Sequence, residues 1–166
     1  MKVIMMMAIT LDGLIAKDKN QLANWTSPED KKKFVEVSND CGVILMGENT
    51  FKTFPAPLKN RLNVVFTENP DQELIPGVKW VSGDLKDVLK ELENMGYQKA
   101  LLGGGSYLNS LFLNENLIDE IMLTIEPKIF GDGLNLFNID KEIDLKLINC
   151  EKLNENTIFV HYQVIK

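Results

Sequence analysis

Short, almost unbroken apolar runs separated by polar turns fill the first two thirds of the chain. VIMMMAI (3–9), GVILMG (42–47), LNVVF (62–66), VKWV (78–81) and KALLG (99–103) have strand length, and DEIMLTIEP (119–127), LKLINC (145–150) and TIFVHYQVI (157–165) continue the series. Runs bounded by Gly, Pro, Asn and Asp predict strands, and continuous rather than alternating apolar content predicts strands covered on both faces. The segments between them have helical spacing: PEDKKKFVEVS (28–38), MGENTFKTF (46–54), DLKDVLKELENMG (84–96) and SYLNSLFLNE (106–115). The third carries a charged outer face and meets Gly96 as its stop signal.

Strand and helix in alternation imply right-handed crossovers, whereas the last two strands have no helix between them and should pair as a hairpin. The predicted class is therefore α/β: three layers, a mostly parallel central sheet of about eight strands, and an antiparallel C-terminal hairpin at one edge. No repeat, low-complexity tract or linker interrupts residues 1–166, which should form one domain. A ligand site on such a sheet belongs at the carboxyl ends of the strands.

The composition, 45% hydrophobic and 25% charged over 166 residues, suits one core. A formal net charge of −6 argues against nucleic acid or an anionic membrane as the main partner and leaves a small molecule as the expected one. Cys41 and Cys150 form no CxxC pair, the N-terminus MKVIMMMAITLDG lacks a signal-peptide pattern, and no apolar run reaches membrane-spanning length. These features predict a cytoplasmic protein with free thiols. With His161 as the single histidine, no metal site is suggested.

Candidate chemistry starts at Ser27-Pro28-Glu29-Asp30. A capping serine, a proline at the first helical position and an acid three residues after the cap make a helix N-terminus. Asp30 also shares a helical stripe with Phe34 and Val37, so its carboxylate is either a cap or a group aimed into a pocket. Two glycine turns each end a strand and open a helix: Met46-Gly47-Glu48-Asn49-Thr50 and Gly103-Gly104-Gly105-Ser106. Each is a tight bend or a phosphate seat, and two together favour a nucleotide with a pyrophosphate. Arg61 is the lone arginine among 18 Lys+Arg, either a surface charge or a planar donor fork for a carboxylate or phosphate. Thr124 fits a strand, and Trp25, Phe34 and Phe54 fit a core or a rim.

In order along the chain these stretches resemble the dihydrofolate reductase superfamily, including the reductase branch of riboflavin biosynthesis. WTSPEDKKKF is similar to the family's Trp-x-x-Pro-x-Asp-x-x-x-Phe segment, ILMGENTFKTFPAPLKNRLNVVFT to its Met-Gly-x-x-Thr turn and Pro-Leu-x-x-Arg strand, and LLGGGSYL to its pyrophosphate turn. The resemblance implies a catalytic Asp30 linked to Thr124 and a substrate site of Met6, Ala8, Phe34, Phe54, Arg61 and Leu102, with Arg61 clamping a folate tail. It implies a cofactor site of Gly47, Asn49, Thr50, Thr67, Gly103, Gly104, Gly105, Ser106 and Tyr107, holding NADPH, with NADH possible. The implied activity is hydride transfer to dihydrofolate by a monomer or homodimer. TLDGLIA and IEPKIFGDGLNLF look more like the riboflavin-type branch, so a reductase of a ribosylaminopyrimidine phosphate is the alternative. A non-catalytic nucleotide-binding protein is the third reading. Glu48 and Glu68 stand where a 2′-phosphate would prefer bases.

Overall fold

A computed structural model describes residues Met1–Lys166. Eight strands form one sheet: β1 (Lys2–Thr10), β3 (Val43–Gly47), β4 (Leu62–Phe66), β5 (Val78–Val81), β6 (Lys99–Leu102), β7 (Glu120–Glu126), β9 (Leu145–Lys152) and β10 (Ile158–Val164). Their order is β5-β4-β3-β6-β1-β7-β10-β9. The strands from β5 to β7 are parallel, and β10 runs antiparallel to both β7 and β9. The expected sheet and edge hairpin are both present. A second, two-stranded ribbon of β2 (Leu14–Ala16) and β8 (Leu134–Asn135) was not expected.

Alternation within each apolar run sends side chains to two cores. Val3, Met5, Val43, Leu45, Val64, Ala100 and Leu102 pack on one face with α3 (Leu85–Asn94) and α4 (Ser106–Asn114), whose Phe112 is fully buried. Ile4, Met6, Ile44, Met46, Val65 and Leu101 pack on the other, against Cys41, Phe34 and Val37 of α1 (Pro28–Cys41). A run apolar at every position is what a sheet sandwiched between helices requires. Burial of each large side chain contributes about 1.5–3 kcal/mol.

Local signals end the helices. Gly42 closes α1 in the left-handed region, at φ 73°, after the helix has run to Cys41, three residues beyond its expected end. The element expected over 46–54 is only one turn, α2 (Glu48–Phe51). Beyond Phe51 the chain continues in turns, with Thr53 N donating to Thr50 O at 3.0 Å and Phe54 N to Phe51 O at 3.1 Å, and Pro55 disfavours helical geometry at Phe54.

Candidate active site

The order of β3, β6 and β1 creates a crevice, because β6 inserts between strands that precede it in the chain. A cleft of about 1540 Å³ opens there. Single-ligand pockets run roughly 300–1,000 Å³, so the space suits two molecules side by side. Its wall includes Met6, Ala8, Phe34, Phe54, Gly47, Asn49, Thr50, Thr67, Gly103, Gly105, Ser106 and Tyr107 from the expected set, together with Asp30.

Four expected residues are not on that wall. Leu102 is fully buried in the core shared with α3 and α4. Gly104 is buried behind the turn, at φ +93°, where an added Cβ would lie 2.9 Å from Met7 Sδ. Thr124 is buried beside Asp30. Arg61 donates from Nε to Lys59 O at 3.0 Å and from Nη1 to Ser38 Oγ on α1, so two edges of its fork are spent on the protein. Partial burial lowers its pKa.

Asp30 is 7% exposed at the first turn of α1. Its backbone N–H donates to Ser27 Oγ at 3.3 Å, so the serine caps as expected. The reciprocal bond goes elsewhere. Ser27 N donates to Glu126 Oε1 at 2.7 Å, and Glu126 is itself 2% exposed on β7. Burial pushes the Asp30 pKa up and the Glu126 charge adds to that, while the hydroxyls of Thr124 and Thr26 and the charge of Lys31 pull it back. The Thr124 hydroxyl lies close enough to act on Asp30, yet no atom meets it in good hydrogen-bond geometry. It has bonding capacity left for a bound group.

At the other end of the cleft, β3 and β6 are neighbours, and Gly47 N donates to Gly104 O at 2.8 Å. Gly103 N donates to Leu45 O at 2.8 Å. Both amide groups are therefore committed to holding the turns together. Free donors come from the first turn of α4, which starts at Gly105 with no side-chain cap. Gly105 lets the turn pass Thr50, whose Oγ1 would be 3.2 Å from an added Cβ. Beyond it, Glu48 Oε1 pairs with Lys52 Nζ at 2.6 Å, and Glu48 Oε2 accepts from Thr67 Oγ1. The Lys52 contact, then Thr67, hold the Glu48 pKa below its usual value.

Sequence reasoning missed Glu126 as a contributor to the site. An acid two residues after Thr124 shares its face of β7, and that spacing was the available signal.

Residues 1–159 match the model of the RibD C-terminal domain, and the chain belongs to that family of oxidoreductase-type enzymes. A 2,5-diamino-6-ribosylamino-4(3H)-pyrimidinone 5′-phosphate reductase of Methanothermobacter thermautotrophicus is 27% identical over 98% of this chain and 97% of its own length. Acinetobacter baumannii RibD superposes with a TM-score of 0.84 at 19% identity, over 99% of this chain and 58% of that one. Dihydrofolate reductase from Enterococcus faecalis, solved with NADP(H), superposes with a TM-score of 0.75 at 22% identity, over 99% and 97% of the two chains. The fold is that of dihydrofolate reductase. No helix is long and apolar enough to cross a membrane.

Proposed function

We propose that this chain is a nicotinamide-dependent reductase whose substrate presents a 2-aminopyrimidin-4-one edge to Asp30. The observation that supports this is the carboxylate of Asp30 on the cleft wall, buried among hydroxyls and apolar groups. An amino group and the adjacent ring N–H form a fork that a carboxylate accepts bidentately. A bound nicotinamide supplies the hydride. The residues fit its dinucleotide: the uncapped first turn of α4 offers N–H groups to a pyrophosphate, and Met7, Ala8 and Ile15 add apolar wall to the same cleft. Asp30 would orient the ring so that the reducible C=N group, the ring imine of dihydrofolate or the imine that a ribosylamino group forms when its sugar ring opens, meets the hydride donor, with the proton on nitrogen coming from solvent.

Two substrates carry that edge. The ribosylaminopyrimidinone phosphate named for the archaeal relative comes first, because family and full-length similarity favour it. Lys19 and Lys31 are the cationic side chains on the wall that would meet its phosphate. Dihydrofolate is the second reading, favoured by Phe34, Phe54, Pro55 and Leu58, which offer an apolar wall for an aromatic tail. A non-catalytic role is disfavoured, since a buried carboxylate with no ligand costs stability.

The test is oxidation of NADPH and NADH with the diaminopyrimidinone, its deaminated uracil counterpart and dihydrofolate. Loss of the amino donor should lower kcat/KM about 10- to 100-fold, the effect of one hydrogen bond to a charged group. Equal turnover of the uracil compound would remove the amino edge from the proposal.

A further inference from the structure

Ser27-Pro28-Glu29-Asp30 has the spacing of a capping box, in which the acid three residues after the cap turns back to the cap's own N–H. An Asp30 so used would face its own helix. Here that N–H is taken by Glu126 Oε1 at 2.7 Å, from a residue 99 positions away. Glu126 Oε2 accepts from Thr157 Oγ1 at 3.3 Å, at the start of β10. One buried carboxylate thus ties the α1 N-terminus to two strands, and it is absent from the cleft wall.

We propose that Glu126 is the positioning residue of this site: it occupies the reciprocal cap of α1 and so leaves the Asp30 carboxylate free to face substrate. The two Glu126 oxygens are thus divided between the Ser27 N–H and the Thr157 hydroxyl. The charged groups that act on Asp30 are Glu126 on β7, which makes protonation easier, and Lys31 on α1 itself, which opposes it; the Thr157 hydroxyl, one residue before β10, bonds Glu126. Removal of the Glu126 charge should therefore make Asp30 a stronger acid without moving it. Removal of the acceptor as well should let Asp30 turn back to Ser27.

The role of Glu126 at the substrate rests on the proposed reductase activity, so the first measurement needs no substrate. Carboxyl-carbon NMR would follow the titration of Asp30, assigned through Asp30→Asn, in wild type, Glu126→Gln and Glu126→Leu. In Glu126→Gln the midpoint should fall, as expected when a nearby like charge is lost. In Glu126→Leu, kcat should fall at least tenfold while the Kd for NADPH or NADH stays within twofold. An unmoved Asp30 midpoint in Glu126→Gln overturns the proposal, whether or not Glu126→Leu folds. Absence of turnover with every substrate would instead count against the reductase reading and leave the titration result standing.

Discussion

Two helix N-termini open on the same cleft, and they are finished in opposite ways. At α1 the first turn holds Glu29 and Asp30, Ser27 caps with its hydroxyl, and Glu126 takes the Ser27 N–H. At α4 the cap is Gly105, with no side-chain bond and no acid in the first turn. A helix N-terminus carries a partial positive charge and unpaired N–H groups. At α1 the acids of the first turn offset the partial charge and the Ser27 hydroxyl takes the Asp30 N–H, so what faces the cleft is an acceptor. At α4 nothing does, so what faces the cleft is a set of donors. On the proposed reading, the same structural element would serve a ring with N–H groups at one end and an anion at the other.

The strongest way to break this contrast is at the α4 turn. Gly104→Val should lower affinity for NADPH and NADH alike more than 100-fold, because the residue sits at φ +93° and its Cβ would meet Met7 Sδ at 2.9 Å. Gly47→Ala should change affinity less than threefold, since Gly47 has φ −75° and its Cβ would have Gly104 O no nearer than 4.0 Å. Fluorescence titration of both cofactors, with circular dichroism to confirm folding, measures this pair. Equal effects at the two glycines would mean that the turns are bends alone.

Next in size is Asp30→Asn. Turnover should fall about 100-fold, within the usual range for a positioned acid–base group. Stability should move the other way. Burial raises the folded-state pKa of Asp30 above that of a free aspartate, so its protonated form is favoured by folding. That contribution is complete below about pH 4 and is lost as pH rises through the folded-state pKa, leaving the ionised group a burden at neutrality. Asp30→Asn should accordingly raise Tm at pH 7 by about 2–4 °C for each kcal/mol relieved, with the gain vanishing near pH 4. Calorimetry at the two pH values tests it. A lower Tm at pH 7 would return Asp30 to the role of a cap.

The difference between what the chain discloses and what it hides follows from sequence distance. The strands were legible because Val3 to Ile9 and its counterparts are apolar at every position, and the alternation that splits Met5 from Met6 into separate cores needs no distant partner. Asp30 was legible because Phe34 and Val37 lie one and two turns along the same helix. The ribbon of β2 and β8 was not, since three residues and two residues carry no period and meet only in the folded chain. Glu126 was missed for the same reason. The sequence leaves Arg61 open between a surface charge and a ligand fork because its partners, the Ser38 hydroxyl and the Lys59 carbonyl, are unremarkable there.

The smallest expected effect sharpens the contrast from the anion side, where Glu48 is the acid out of place. It lines the cleft with Thr67, Glu68 and Asn69, and its pairing with Lys52 occupies a lysine that a phosphate would otherwise attract. If the adenosine ribose lies at this end, its 2′-hydroxyl can donate to Glu48, whereas a 2′-phosphate meets like charge. Glu48→Gln keeps an acceptor for Thr67 and releases Lys52. The ratio of NADPH to NADH affinity should then rise about two- to fivefold, the scale of exposed charge pairs. Salt should shrink that gain, because charges this near the surface are screened within about 10 Å at 0.1 M. Cofactor titrations at low and high ionic strength on wild type and variant decide the matter. A ratio that does not change would put the ribose away from Glu48, and the donors of α4 would then hold the pyrophosphate without a neighbouring acid to choose between the two cofactors.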